Sequence, residues 1–113
     1  MYCCDHPAAA LLEILVHIDA EDAPSDYQLL GIDVPEGAGI AVPDLPQNWR
    51  DDQPTSQRIG MAFLREGAAP ILEVPSAIVP FASNFLLNPT LLDASGIRIV
   101  SQTLHPIDAR LLA

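Results

Sequence analysis

The sequence predicts an α+β domain. Two runs with helical apolar spacing sit among several short apolar runs that end at prolines, and 11 prolines with 6 glycines in 113 residues favour many short elements over long helices. A chain of this length is expected to form one domain over residues 1–113 and to remove roughly two-thirds of its unfolded surface from water, enough for a core without staples.

Asp5-His6-Pro7 opens the first helix, with Asp5 as the cap and Pro7 in the first turn, where its missing N–H costs nothing. The run Ala8 to Ile18 is apolar nearly all round, which predicts a buried helix. Glu13 is its exception. A carboxylate there loses hydration unless it is paired, hydrogen-bonded or turned to a wet cleft, and His17, one turn on, is a candidate partner. The residues alone leave a structural pair and a functional carboxylate equally open.

Asp19 to Ser25 is an acidic loop, and Asp26 to Val34 reads as a strand ending at Pro35. Glu36-Gly37-Ala38-Gly39 then turns into the short apolar piece Ile40 to Val42. Neither GK[ST] nor GxGxxG accompanies these glycines, so no phosphate loop is read here. Asp44 to Gln53 is irregular and carries Trp49 beside Arg50; such a Trp is expected to plug the core under a loop rather than to stack on a base. A second helix is predicted from Pro54 or Thr55 to Glu66, capped by Asp52 and closed by Gly67, with Ile59, Ala62 and Phe63 turned inward.

Pro70 to Val74 is the next strand, and it runs into Pro75-Ser76-Ala77-Ile78-Val79-Pro80. Each proline fixes its own φ and holds the residue before it extended, so Ser76 stands in a stiff turn at a strand end. Its hydroxyl either bonds the turn backbone or serves a site on that rigid support. Asn84 to Pro89 reads as a short buried strand with an amide at each end, and buried asparagines pair with backbone or ligand. Ile97 to Leu104 alternates as a half-buried strand. Asp108 and Arg110 can tie down the C-terminus, though an exposed pair contributes little.

The charge balance excludes whole classes of partner. With 15 acidic against 5 basic residues and a formal charge of −10, the chain has no lysine at all, so neither nucleic acid nor an anionic membrane is expected to bind it directly. An acidic surface does suit a basic protein partner. Cys3 and Cys4 are adjacent and no CxxC or Cys/His spacing exists, so neither a disulfide framework nor a metal site is expected. No apolar run reaches the roughly 18 residues of a membrane span and the N-terminus lacks the basic start of a signal peptide, which with the cysteine usage points to the cytoplasm.

Several separate motifs carry a further reading: Tyr2; Leu11-Leu12-Glu13-Ile14-Leu15; Leu45-Pro46-Gln47-Asn48-Trp49; Ser56-Gln57-Arg58-Ile59-Gly60; Val74-Pro75-Ser76-Ala77-Ile78-Val79-Pro80; Asn84-Phe85-Leu86-Leu87-Asn88-Pro89; and Ile107-Asp108-Ala109-Arg110-Leu111. In this order they resemble the RES domain family, named for a functional Arg, Glu and Ser. The resemblance implies an ADP-ribosyltransferase-like fold and a toxin of a type II toxin–antitoxin pair. Such toxins take NAD as substrate rather than cofactor, cleaving it by hydrolysis or phosphorolysis; some members transfer ADP-ribose to a protein. It also implies a helical Xre-type antitoxin as partner, in an oligomer with the toxin.

The same resemblance places the family's Glu at Glu13 and its Ser at Ser76 as catalytic residues, with Tyr2, Glu13 and Ser76 holding NAD. Its Arg belongs to a segment upstream of the Tyr2 position, so the chain reads as an N-terminally truncated form lacking a cation for the diphosphate. Met61-Ala62-Phe63 and Thr90-Leu91 stand where the family usually has an acidic residue before an aromatic and a His. The alternative expectation is a catalytically inactive module that keeps the scaffold and binds an Xre-type antitoxin or another protein.

Overall fold

Strand β1 (Tyr2–Cys4) opens the described chain in the computed structural model, which describes residues 2–112. Helix α1 (Pro7–Leu15) follows. Pro7 forces the residue before it out of helical space, and His6 is extended at φ −150 and ψ 143, which is the cap conformation. The cap is therefore His6, whose Nδ1 accepts from the Ala8 N–H at 3.0 Å, and not the expected Asp5. Asp5 instead accepts from the Ser83 N–H at 3.2 Å, tying the helix entry to a strand.

Two expectations for this helix fail together. It ends at Leu15 rather than Ile18, and of its residues only Ala9 is buried, while Leu12, Ile14 and the following Val16 are exposed. The helix lies at the edge of a sheet, against β1, so one narrow stripe is covered and the rest of its apolar surface fronts open grooves.

Strand β2 (Asp26–Asp33) forms where a strand was expected, one residue shorter than Asp26 to Val34. It pairs antiparallel with the C-terminal strand β6 (Arg98–Pro106), with a register shift between Gly31 and Ile32 where a Cβ on Gly31 would collide with the Ser101 hydroxyl. The half-buried alternation expected for Ile97 to Leu104 is not seen: residues 98–104 are all exposed. Among the described residues β6 pairs only with β2, in a two-stranded ribbon, and its side chains stay open to solvent.

The remaining strands form a four-stranded sheet in the order β1-β5-β4-β3. Strand β3 (Ile40–Ala41) runs parallel to β4 (Ile71–Pro75), and parallel neighbours need a crossover, which α2 (Gln53–Glu66) supplies. Asp52 caps α2 through Thr55, Gly67 ends it at φ 62 and Phe63 is buried, as the sequence predicted. Strand β5 (Ser83–Leu87) lies antiparallel between β4 and β1, and a short helix α3 (Leu92–Ser95) precedes β6.

Ile71, Leu87 and Ile97 form the buried core, with Cys3, Ile32, Phe85 and Leu92 packed around them. Cross-strand pairs put Ile71, Leu87, Phe85 and Cys3 on one face of the four-stranded sheet and Tyr2, Leu72, Val74, Asn84 and Leu86 on the other. The first face meets the ribbon. The second supports the candidate site. The architecture is thus α+β, and no helix among the described residues is long and apolar enough to cross a membrane.

Candidate active site

A cavity of about 370 Å³ opens on that second face, floored by Leu72, Val74 and Leu86, with α1 and α2 as walls. Glu13 and Tyr2 both line it, although ten residues of chain, a strand end and a helix entry separate them. β1 brings Tyr2 in beside β5, and α1 swings Glu13 back over the same strand.

Asn84 joins them. It is 1 % exposed, and its Nδ2 donates to Glu13 Oε1 and to Tyr2 Oη, both at 2.9 Å. The Cys4 thiol donates to Asn84 Oδ1 at 3.1 Å, so both the nitrogen and the oxygen of the amide have named partners. The orientation follows from charge: reversing the amide would set its oxygen against the Glu13 carboxylate. Two consequences reach the cavity. Glu13 keeps Oε2 without a protein partner among the described residues, and Tyr2, accepting at its oxygen, keeps its own proton to donate.

Tyr2 is 56 % exposed, and burial of the rest of the ring pushes its pKa above the ordinary value; the Asn84 hydrogen bond draws it back in part, and the negative charge on Glu13 acts in the same direction as burial. Burial likewise raises the Cys4 thiol, with Glu13 and Asp5 adding to the effect. Glu13 is thus satisfied by the amide of β5, and the expected contact with His17 does not form; the helix ends before His17, which stands exposed on the cavity wall.

Ser76 occupies a different position. It is 3 % exposed, and its Oγ accepts from the Ile78 and Val79 N–H groups at 3.1 and 3.0 Å while its own N–H donates to Ala82 at 2.9 Å. Its hydroxyl therefore fastens the turn between the two prolines. Pro75, Ala77 and Ile78 line the cavity; the Ser76 side chain shapes that wall from behind it. Phe81, in the same turn, is fully exposed at φ 65, a conformation that bulky side chains rarely adopt.

Trp49 does not plug the core. It is half-buried and lines the cavity, with the Arg50 guanidinium over its ring at 5.4 Å from the centroid. Sequence reasoning named Tyr2, Glu13 and Ser76 and left out Asn84 and Trp49. The signal for Asn84 was present, since an amide inside an otherwise apolar strand requires partners. The second amide, Asn88, is structural: it accepts from Thr90 and donates to the Leu64 carbonyl. Among the described residues no three His, Cys, Asp or Glu side chains gather in a metal-binding cluster.

The chain is 37 % identical over 114 residues to the "Toxin Res" of Pseudomonas putida, a match covering 98 % of this chain and 78 % of that toxin. It is 33 % identical over 117 residues to the "Toxin Res" of Photorhabdus laumondii, covering 99 % and 75 %. A "Prs ADP-ribosylating toxin" of a Sphingobium species is 36 % identical over 107 residues, covering 87 % of this chain and 65 % of that protein. The RES domain itself matches residues 1–108, nearly the whole chain, and the protein belongs to the RES domain family.

Proposed function

We propose that this protein is a toxin that breaks the nicotinamide–ribose bond of NAD, with Glu13 as its central catalytic group. The observation that carries the reading is the Glu13–Asn84–Tyr2 constellation, which holds one free carboxylate oxygen and one phenolic proton at the same cavity. A volume of about 370 Å³ lies at the small end of ligand sites and suits the nicotinamide–ribose half. The remainder of the dinucleotide runs out past Trp49, whose ring offers a stacking face, towards the Arg50 cation.

The chemistry asks for these groups. As the C–N bond breaks, its electron pair passes to the pyridinium ring and nicotinamide leaves neutral, so no general acid is needed. Positive charge develops on the ribose. A carboxylate held beside it by a fixed amide stabilises that charge without reorganising, and also orients the ribose hydroxyls. Tyr2 donates to the substrate or stacks on it. Ser76 positions the wall rather than touching the reacting atoms. Water, which gives up a proton to solvent, or phosphate then adds to the ribose carbon, giving ADP-ribose or its 1-phosphate.

The name of the Sphingobium relative favours a second reading of the last step, in which a protein side chain accepts the ADP-ribose. Both readings share Glu13 and the released nicotinamide. A toxin of this kind acts in the cytoplasm, where NAD is held, and requires an antitoxin. A charge of −10 suits a basic, helical partner of the Xre type, assembled with the toxin as an oligomer. Expression in bacteria is the test: cellular NAD falls and growth stops with the wild-type chain, whereas Glu13→Gln leaves both unchanged. Growth arrest with undiminished NAD and no ADP-ribosylated protein contradicts the proposal.

A further inference from the structure

Helix α2 carries a glycine where a side chain would be expected. Ser56, Ile59 and Gly60 line the cavity of about 370 Å³, one turn before the buried Phe63, so Gly60 lies on the inward stripe of the helix, which apolar side chains normally fill. Glycine in a helix interior weakens the helix relative to alanine. Two structural reasons for a glycine are missing here. The backbone does not require it: the glycines at positive φ are Gly67 and Gly96, and Gly60 sits in the middle of the helix. Packing does not require it either. Among the described residues, a Cβ on Gly60 would meet only the tip of the Leu86 side chain beyond its own helix, at 3.7 Å, an ordinary van der Waals contact.

What a methyl group would occupy is open cavity. Leu86 belongs to the cavity floor, pairs with Tyr2 across the strands and lies two residues from Asn84, whose amide holds Glu13. The space in front of Gly60 therefore adjoins the carboxylate that stands beside the ribose in the reaction proposed above. Its nearest walls, Ile59, Leu72 and Leu86, are apolar, which suits a flat ring that becomes neutral as it leaves.

We infer, resting on the NAD-cleaving reading for the identity of the ligand, that Gly60 is a specificity-determining position, kept bare so that the nicotinamide ring packs against the α2 backbone opposite Leu86. A side chain at position 60 narrows that slot without touching the hydrogen bonds among Glu13, Asn84 and Tyr2. It acts on binding of the nicotinamide half, and it does so in a helix made firmer by the same change.

Calorimetric titration of NAD, and of nicotinamide mononucleotide, which lacks the adenylate half, reads binding without turnover in a Glu13→Gln background. Gly60→Ala is expected to raise the Tm by about 2–6 °C, as replacing a helix-interior glycine does, and to raise the Kd of both ligands about tenfold or more. Gly60→Val weakens both further. An unchanged Kd in Gly60→Ala overturns the inference. So does weaker binding of NAD with that of the mononucleotide unaltered, which would seat the adenylate half at Gly60, and so does a Glu13→Gln protein that binds neither ligand. A tenfold loss for both ligands, in a protein whose wild-type form releases no nicotinamide, would sustain the inference and sink the catalytic reading alone.

Discussion

The side-chain amide of Asn84 stands between the Glu13 carboxylate and the Tyr2 hydroxyl and donates to both at 2.9 Å. Three elements, β1, α1 and β5, thereby meet at one buried group, and the geometry of the cavity depends on it more than on either residue that faces the opening.

Asn84→Ala removes that link and leaves Glu13 and Tyr2 without their donor. The expected cost is about 1–3 kcal/mol of stability, read as a lower urea midpoint. Activity falls further than stability, by about 100-fold in kcat/KM, because Glu13 is no longer held in place. Full activity in this variant would show that the amide positions nothing.

Tyr2→Phe isolates the phenol. The folded-state pKa of Tyr2 is raised above 10.0, chiefly by burial, so its contribution to stability is complete below pH 10 and is lost as pH rises through the folded value. The thiols of Cys3 and Cys4 behave alike, from an ordinary value of 9.0. Melting curves in a background of Cys3→Ala and Cys4→Ala are therefore expected to fall less steeply above pH 10 for Tyr2→Phe than for Tyr2. Identical alkaline limbs would remove Tyr2 from the Asn84 network.

How much of this was legible in the sequence depended on whether the cause was local. The α2 cap at Asp52 and its stop at Gly67 are determined by neighbours within one turn, and both appear where the pattern put them. The cap of α1 moved to His6 because Pro7 constrains the residue directly before it. The exposure of α1 and β6 was not legible, since an apolar run looks the same whether or not another layer covers it. Within the site, Glu13 stood out as the lone acid of an apolar helix, but its partner lies 71 residues away, and no periodicity points that far.

Ser76→Ala leaves the Ile78 and Val79 N–H groups without their acceptor in a turn whose residues, Ser76 apart, are exposed or half-buried. A loss of about 0.5–1.5 kcal/mol is expected, with activity partly restored on cooling as the turn re-forms. Unchanged stability with abolished turnover would instead mean that the hydroxyl contacts substrate.

Trp49→Ala is expected to raise KM for NAD about tenfold or more, the loss of one stacked ring being worth about 1–3 kcal/mol. Trp49→Phe restores most of the affinity, and neither change alters the fold greatly, because the ring is only half-buried. An unaltered KM in the alanine variant would place the substrate elsewhere.

The most direct measurement is nicotinamide release from NAD by the purified chain, followed by proton NMR with wild-type protein and Glu13→Gln side by side. A glutamine carbonyl can still accept from Asn84, so the variant keeps its fold while losing the negative charge. The account predicts one nicotinamide per NAD consumed by the wild type and a rate lower by about 100-fold or more in the variant. Equal rates in the two proteins, or intact NAD with the wild type, would contradict it.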